Sequence, residues 1–200
     1  MLEPDATMVD LAQASNARLR AVHPAGFALN EGHRPHITLL QRFVRTQELN
    51  RIADAAGRVF ADTNLAHLAM EAYGYYFLPA QGLGLAGIVA RPSPELIRLQ
   101  GLLIEAIAPY TVATGAIHAF TASHGDSLLD AALIDYVATF VPNHTGERFS
   151  PHVTTGLAPI DVLEAMQQEH FTAFTFAPVG AALVQLGPYG TAARNLRTWG

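Results

Sequence analysis

Two short stretches of this chain carry acid–base residue types in the same order: Pro35-His36-Ile37-Thr38 and Pro151-His152-Val153-Thr154. With 12 Pro and 9 His in 200 residues, roughly 0.02 copies of Pro-His-apolar-Thr are expected by chance. Two copies therefore ask for a physical reason. Alternate side chains of a strand share a face, so His36 and Thr38 project together above Ile37 and Leu39, and His152 and Thr154 do the same above Val153. Imidazole titrates at about 6.5 and can both take and give a proton near neutrality. If the two stretches face each other, their two imidazoles and two hydroxyls line one cleft, which suits in-line attack on a phosphodiester. One His takes the proton of the attacking water or ribose hydroxyl, and the other gives a proton to the departing oxygen. Thr38 and Thr154 donate to the nonbridging oxygens, and Arg42 or Arg148 adds positive charge. Which His is acid and which is base depends on the direction of reaction and stays open.

The paired motif resembles that of the 2H phosphoesterases, the 2'-5' RNA ligase-like or LigT-like group. Their hallmark is two His-apolar-Thr/Ser-apolar motifs, one in each half of a duplicated fold, facing each other across a cleft. His36-Ile37-Thr38-Leu39 fits this pattern, and His152-Val153-Thr154-Thr155 departs from it only at Thr155, whose methyl can still pack inward. The resemblance extends to the order of elements over most of the chain. It implies catalytic His36 and His152, substrate-binding Thr38 and Thr154, and neither metal nor cofactor. The substrates implied are RNA 2',3'-cyclic phosphates, ADP-ribose cyclic phosphate and 2'-5'-linked oligonucleotides, with ligase activity left open. The expectation is a metal-independent phosphodiesterase. Its competitor is a non-catalytic module of the same fold that binds a nucleotide or RNA end.

Other groupings carry less. His33 beside His36 suggests a metal pair, but Pro35 holds that stretch extended and no carboxylate lies close in sequence. His118 and His124 flank Thr121-Ala122-Ser123 without a nucleophile elbow. Gly82, Gly84 and Gly87 run on into Val89 and Ala90 rather than a helix, which fails the dinucleotide context. Tyr73, Tyr75, Phe149 and Tyr189 are candidates for base stacking, with the core as their simpler destination.

Composition narrows the partners. The formal net charge of −5 gives no general attraction to polynucleotide, so the expected substrate is a small nucleotide or an RNA end and not a long duplex. All basic residues are Arg, the better bidentate phosphate ligand. Without cysteine there is neither a disulfide framework nor a thiolate metal site. No apolar run has the length of a membrane span and no signal peptide is evident, so a cytoplasmic monomer is expected, with export through a removed leader left open.

The elements that must position these residues follow from periodicity. A helix is expected over 6 to 22 after an Asp5 cap, a loop to Arg34, a strand over 36 to 44 and a helix from Thr46 to about 62. A hairpin follows within 65 to 90, then a buried helix opened by Ser93-Pro94-Glu95. A strand over 111 to 120, an Asp126-capped helix stopped by Pro142, and a loop over 142 to 148 precede the second motif strand, 149 to 157. A helix over 160 to 170, strands near 171 to 176 and 181 to 186, a turn at Gly187-Pro188-Tyr189-Gly190 and a short tail complete the chain. The reading is α+β: two pseudo-symmetric lobes, about 1–92 and 93–200, each a small antiparallel sheet covered by helices, with a central cleft.

Overall fold

The computed structural model describes residues 1–80, 82–122 and 125–200. The fold is α+β with antiparallel sheets. A short strand, β1 (Leu2–Pro4), precedes α1 (Ala6–Val22). Asp5 caps this helix: one carboxylate oxygen accepts the Met8 N–H at 3.2 Å and the other accepts the Ala177 N–H at 2.9 Å. The cap therefore also fastens the helix start to the last third of the chain.

The strand expected over 36–44 is only partly laddered. Ile37 alone bridges its neighbours, and β2 is confined to Phe43–Val44. A 3-10 turn at Thr46–Glu48 leads into α2 (Leu49–Ala61), which buries Ile52, Ala56 and Phe60. The expected hairpin is β3 (Met70–Ala80) and β4 (Leu83–Arg91), with Gln81 of its turn outside the described residues. Ser93 accepts the Leu96 N–H at 3.1 Å and Pro94 opens α3 (Pro94–Ile107).

The strand expected over 111–120 shrinks to β5 (Thr111–Val112), paired with β2, and Ile117–Ala119 forms a 3-10 turn. Asp126 caps α4 (Ser127–Ala138). Pro142 does not stop that helix. It sits in the first turn of α5 (Phe140–His144), where a missing N–H leaves no bond unmade. The break falls at Thr139, whose hydroxyl donates to the Asp135 carbonyl at 2.8 Å. The expected loop over 142–148 is thus occupied by α5 and a 3-10 turn at Gly146–Arg148.

Next come β6 (His152–Pro159), α6 (Ile160–Gln167), β7 (Phe174–Phe176) and β8 (Pro178–Leu186). The expected tail is instead a strand, β9 (Ala192–Trp199), paired with β8. It ends with Trp199 against Phe60, ring centroids 5.1 Å apart, in space that Gly57 leaves: a Cβ there would lie 2.9 Å from the indole nitrogen.

Two larger sheets result, in the orders β1-β8-β9 and β6-β4-β3-β7. Each draws strands from both sides of residue 92, so a division there does not coincide with a division of the sheets. Ile37 joins them by bridging Leu2 on one side and Val153 on the other, and all three are fully buried. The core behind this seam gathers Met8 and Ala12 of α1, Ile52 and Phe60 of α2, and Leu99 and Leu103 of α3. Leu19, Leu163 and Met166 form a second cluster where α1 and α6 meet the β4–β6 ladder. Among the described residues no helix is long and apolar enough to cross a membrane.

Candidate active site

The bridge between Ile37 and Val153 fixes the register of the two motifs. In an antiparallel pair the flanking residues also face each other, so His36 lies across from Thr154 and Thr38 across from His152. Ile37 and Val153 point into the core, and alternation sends all four motif side chains to the opposite face. His36 and His152 are diagonal neighbours, a relation that places Cβ atoms somewhat less than about 7–8 Å apart. Exchanging the two segments about the bridge maps each motif onto the other.

The rings are held alike. His36 Nδ1 lies 2.8 Å from the Arg34 carbonyl oxygen and His152 Nδ1 lies 2.9 Å from that of Ser150. A carbonyl only accepts, so Nδ1 carries the proton on each ring and Nε2 keeps the lone pair. Pro35 and Pro151 keep Arg34 and Ser150 out of the helical region, which favours the extended backbone these contacts need.

Burial pushes His36 down to about 4, opposed by the bond to the Arg34 carbonyl and aided by the Met1 amino group, His152 and Arg34. His152 is also lowered, by burial first and then by His144, against the bond to Ser150. Both rings are therefore mainly neutral at pH 7, with Nε2 available as a proton acceptor. Neither the Thr38 nor the Thr154 hydroxyl has a hydrogen-bond partner among the described residues.

Two buried amides tie the motifs to the helices behind them. Asn16 Nδ2 donates to the carbonyls of Phe27 at 2.9 Å and Thr155 at 2.8 Å, and its Oδ1 accepts the Leu29 N–H at 3.1 Å. Gln100 Nε2 donates to the carbonyls of Leu39 at 3.0 Å and His144 at 3.3 Å, and its Oε1 accepts the Gly146 N–H at 3.2 Å. Each amide fastens the segment leading into one motif to the residue closing the other, since Leu39 ends the first motif and Thr155 the second. The sequence reading passes over both. Their signal is an amide inside an apolar helical stripe: Asn16 between Ala12 and Leu19, and Gln100 between Leu96 and Leu103.

Beside His36 and Thr38 a cleft of about 580 Å³ opens between segment 38–44 and β8. Gln41, Arg42, His118, Gln185 and Arg194 supply its polar lining, with no carboxylate among the described lining residues. Arg42 also donates to Thr111 Oγ1 at 3.2 Å. Arg148 is not brought to the motifs: its guanidinium donates to the Pro142 carbonyl at an exposed position.

The stacking candidates lie elsewhere. Phe149 is core, Tyr75 packs edge-on against Phe171 at 5.0 Å, Tyr73 sits under the Arg91 guanidinium at 4.4 Å, and Tyr189 leans on Phe27 at 6.1 Å. The ring that does meet a motif imidazole is Tyr76, 4.9 Å from His152. Thr155 is fully buried at the expected inward position. His33 stacks on Phe27 at 4.9 Å. Among the described residues no three His, Cys, Asp or Glu side chains gather as metal ligands. Ser123 and His124 lie outside the described residues. Gly84 is there for close packing, since a Cβ would stand 2.5 Å from Leu163 Cδ1. Compared with known proteins, the chain matches no family model and no curated relative.

Proposed function

We propose that this protein is a metal-independent phosphodiesterase that hydrolyses a 2',3'-cyclic or 2'-5' phosphodiester of a nucleotide or RNA end by two-histidine acid/base catalysis. The observation that carries the reading is the Ile37–Val153 bridge, which sets His36, Thr38, His152 and Thr154 on one face with the imidazoles diagonal. Neutral Nε2 of one ring takes a proton from the attacking water as its oxygen bonds to phosphorus. The other ring, protonated, gives its proton to the ribose oxygen as the second P–O bond breaks. The bound phosphate's negative charge raises the pKa of both rings and so supplies the acid form that burial disfavours in the free protein. Thr38 and Thr154 hydroxyls donate to the nonbridging oxygens, where charge builds in the transition state. Arg42 and Arg194 extend the positive lining toward the rest of a small nucleotide.

The matched carbonyl contacts of the two rings and the matched amide contacts of Asn16 and Gln100 support a scaffold of two pseudo-symmetric lobes related about that bridge. The competing reading is a binding module of the same fold that acts as a monomeric receptor for a nucleotide. The depressed His36, which leaves little imidazolium at pH 7, is the observation in its favour. A panel of 2',3'-cyclic nucleotides and 2'-5' dinucleotides, assayed with chelator present, separates the two. Product formation is expected; binding without product favours the module, and inactivation by chelator overturns metal independence.

The pH dependence is a sharper expectation. Catalysis needs the base neutral and the acid protonated, so kcat/KM rises through the pKa of one ring and falls through that of the other. Both values lie below the ordinary 6.5 in the free protein. The bell for kcat/KM should therefore peak below pH 6.5, whichever ring is the acid. The kcat profile, which reports the complex, should peak at higher pH because the phosphate raises both. A kcat/KM that still climbs above pH 7.5 would contradict this.

A further inference from the structure

Tyr76 Oη is a buried polar atom without a hydrogen-bond partner among the described residues, an arrangement native proteins rarely keep without a purpose. The strand register brings its side chain to the second motif. Tyr76 pairs with Gly87, Gly87 pairs with Thr154, and Thr154 stands across from His36, so the four share one transverse row and one face of the sheet. The ring crosses directly over Gly87, where a Cβ would lie 2.4 Å from Tyr76 Cε1 and 2.9 Å from the Val153 carbonyl oxygen. By crossing there it reaches the His152 imidazole, with ring centroids 4.9 Å apart and planes at 55°. A side chain at position 87 and this placement of Tyr76 exclude each other.

We propose that Tyr76 is a further phosphate-binding residue of this site: its hydroxyl donates to a nonbridging oxygen of a phosphate held beside His152, and position 87 is glycine so that the ring can reach it. The proposal rests on the phosphodiesterase reading and adds to it a third hydroxyl donor beside Thr38 and Thr154. Burial first, and then Tyr136, raises the phenol's pKa far above neutrality, so it stays protonated and acts as a donor and not as a base. Before ligand arrives the hydroxyl is desolvated with nothing in return, which weakens the fold. A phosphate oxygen turns that debt into binding.

The isosteric variant Tyr76→Phe removes only the oxygen. Its stability should equal or exceed that of wild type, because an unpaired buried hydroxyl is lost. Its Kd for inorganic phosphate, measured by calorimetry, should rise about tenfold, and its kcat/KM on a 2',3'-cyclic nucleotide should fall about ten- to hundredfold. If the hydroxyl is idle and the ring merely supports His152, Tyr76→Phe keeps wild-type phosphate affinity and kcat/KM. That result overturns the proposal and leaves the phosphodiesterase reading intact. Wild-type protein that neither binds phosphate nor turns over any of the panel overturns both.

Discussion

Alanine at His36 or at His152 is expected to lower kcat/KM on a susceptible phosphodiester by about 10²–10⁴-fold, the usual contribution of a positioned acid or base. The expectation follows from geometry. Each ring donates Nδ1–H to a carbonyl and offers Nε2 to the shared face, so each is fixed in one tautomer for proton transfer. In the proposed mechanism the rings serve one displacement from its two ends, so the double variant should be little worse than either single one. His36 is 8 % exposed and lies against the seam, so its removal also opens space. His36→Gln and His152→Gln keep most of the volume and should show the same kinetic loss with near-native melting. Circular dichroism and thermal melting alongside the kinetics separate lost chemistry from lost fold. Wild-type rates in any of these variants would leave the ring concerned without a catalytic role.

The largest effect on stability is expected at the two buried amides. Gln100→Leu fits the space but strips partners from the Leu39 and His144 carbonyls and the Gly146 N–H. Asn16→Leu does the same to the Phe27 and Thr155 carbonyls and the Leu29 N–H. A buried backbone group left unpaired costs about 1–3 kcal/mol, and since only the bonds to the Leu39 and Thr155 carbonyls are fully buried, each variant should lose roughly 2–4 kcal/mol. Against a typical domain stability of about 5–15 kcal/mol this is severe. Because each amide spans both motifs, the folded fraction should also be slower on substrate. Urea denaturation checks the first part, and a loss under about 1 kcal/mol would show that these amides are dispensable.

Much of this arrangement is legible in the sequence because its causes are local. The second Pro-His-apolar-Thr copy, the caps Asp5, Ser93 and Asp126, and the apolar runs on either side of the turn near 79–82 are short-range signals, and the structure has helices and strands where they point. What is hidden depends on partners far along the chain. Segment 36–44 reads as one strand, yet only Ile37 finds neighbours on both sides, and the residues after it line the cleft. β9 reads as a tail because Ala192–Trp199 has polar residues on both faces and is a strand only through its ladder to β8. Pro142 reads as a stop, although its place as the third residue of a helix, within the first turn, makes it harmless. Tyr76 cannot be told from Tyr73 and Tyr75 in an aromatic run until the register sets it over Gly87 and beside His152. Arg148 sits two residues before Ser150, yet the 3-10 turn at 146–148 sends its guanidinium back to Pro142.

A crystal structure with inorganic phosphate bound tests the central claim most directly. The anion is expected between His36 and His152, within hydrogen-bond distance of both Nε2 atoms, with the Thr38 and Thr154 hydroxyls on its free oxygens. Phosphate that binds away from these four side chains, or imidazoles whose Nε2 atoms face apart when it binds, would contradict the account.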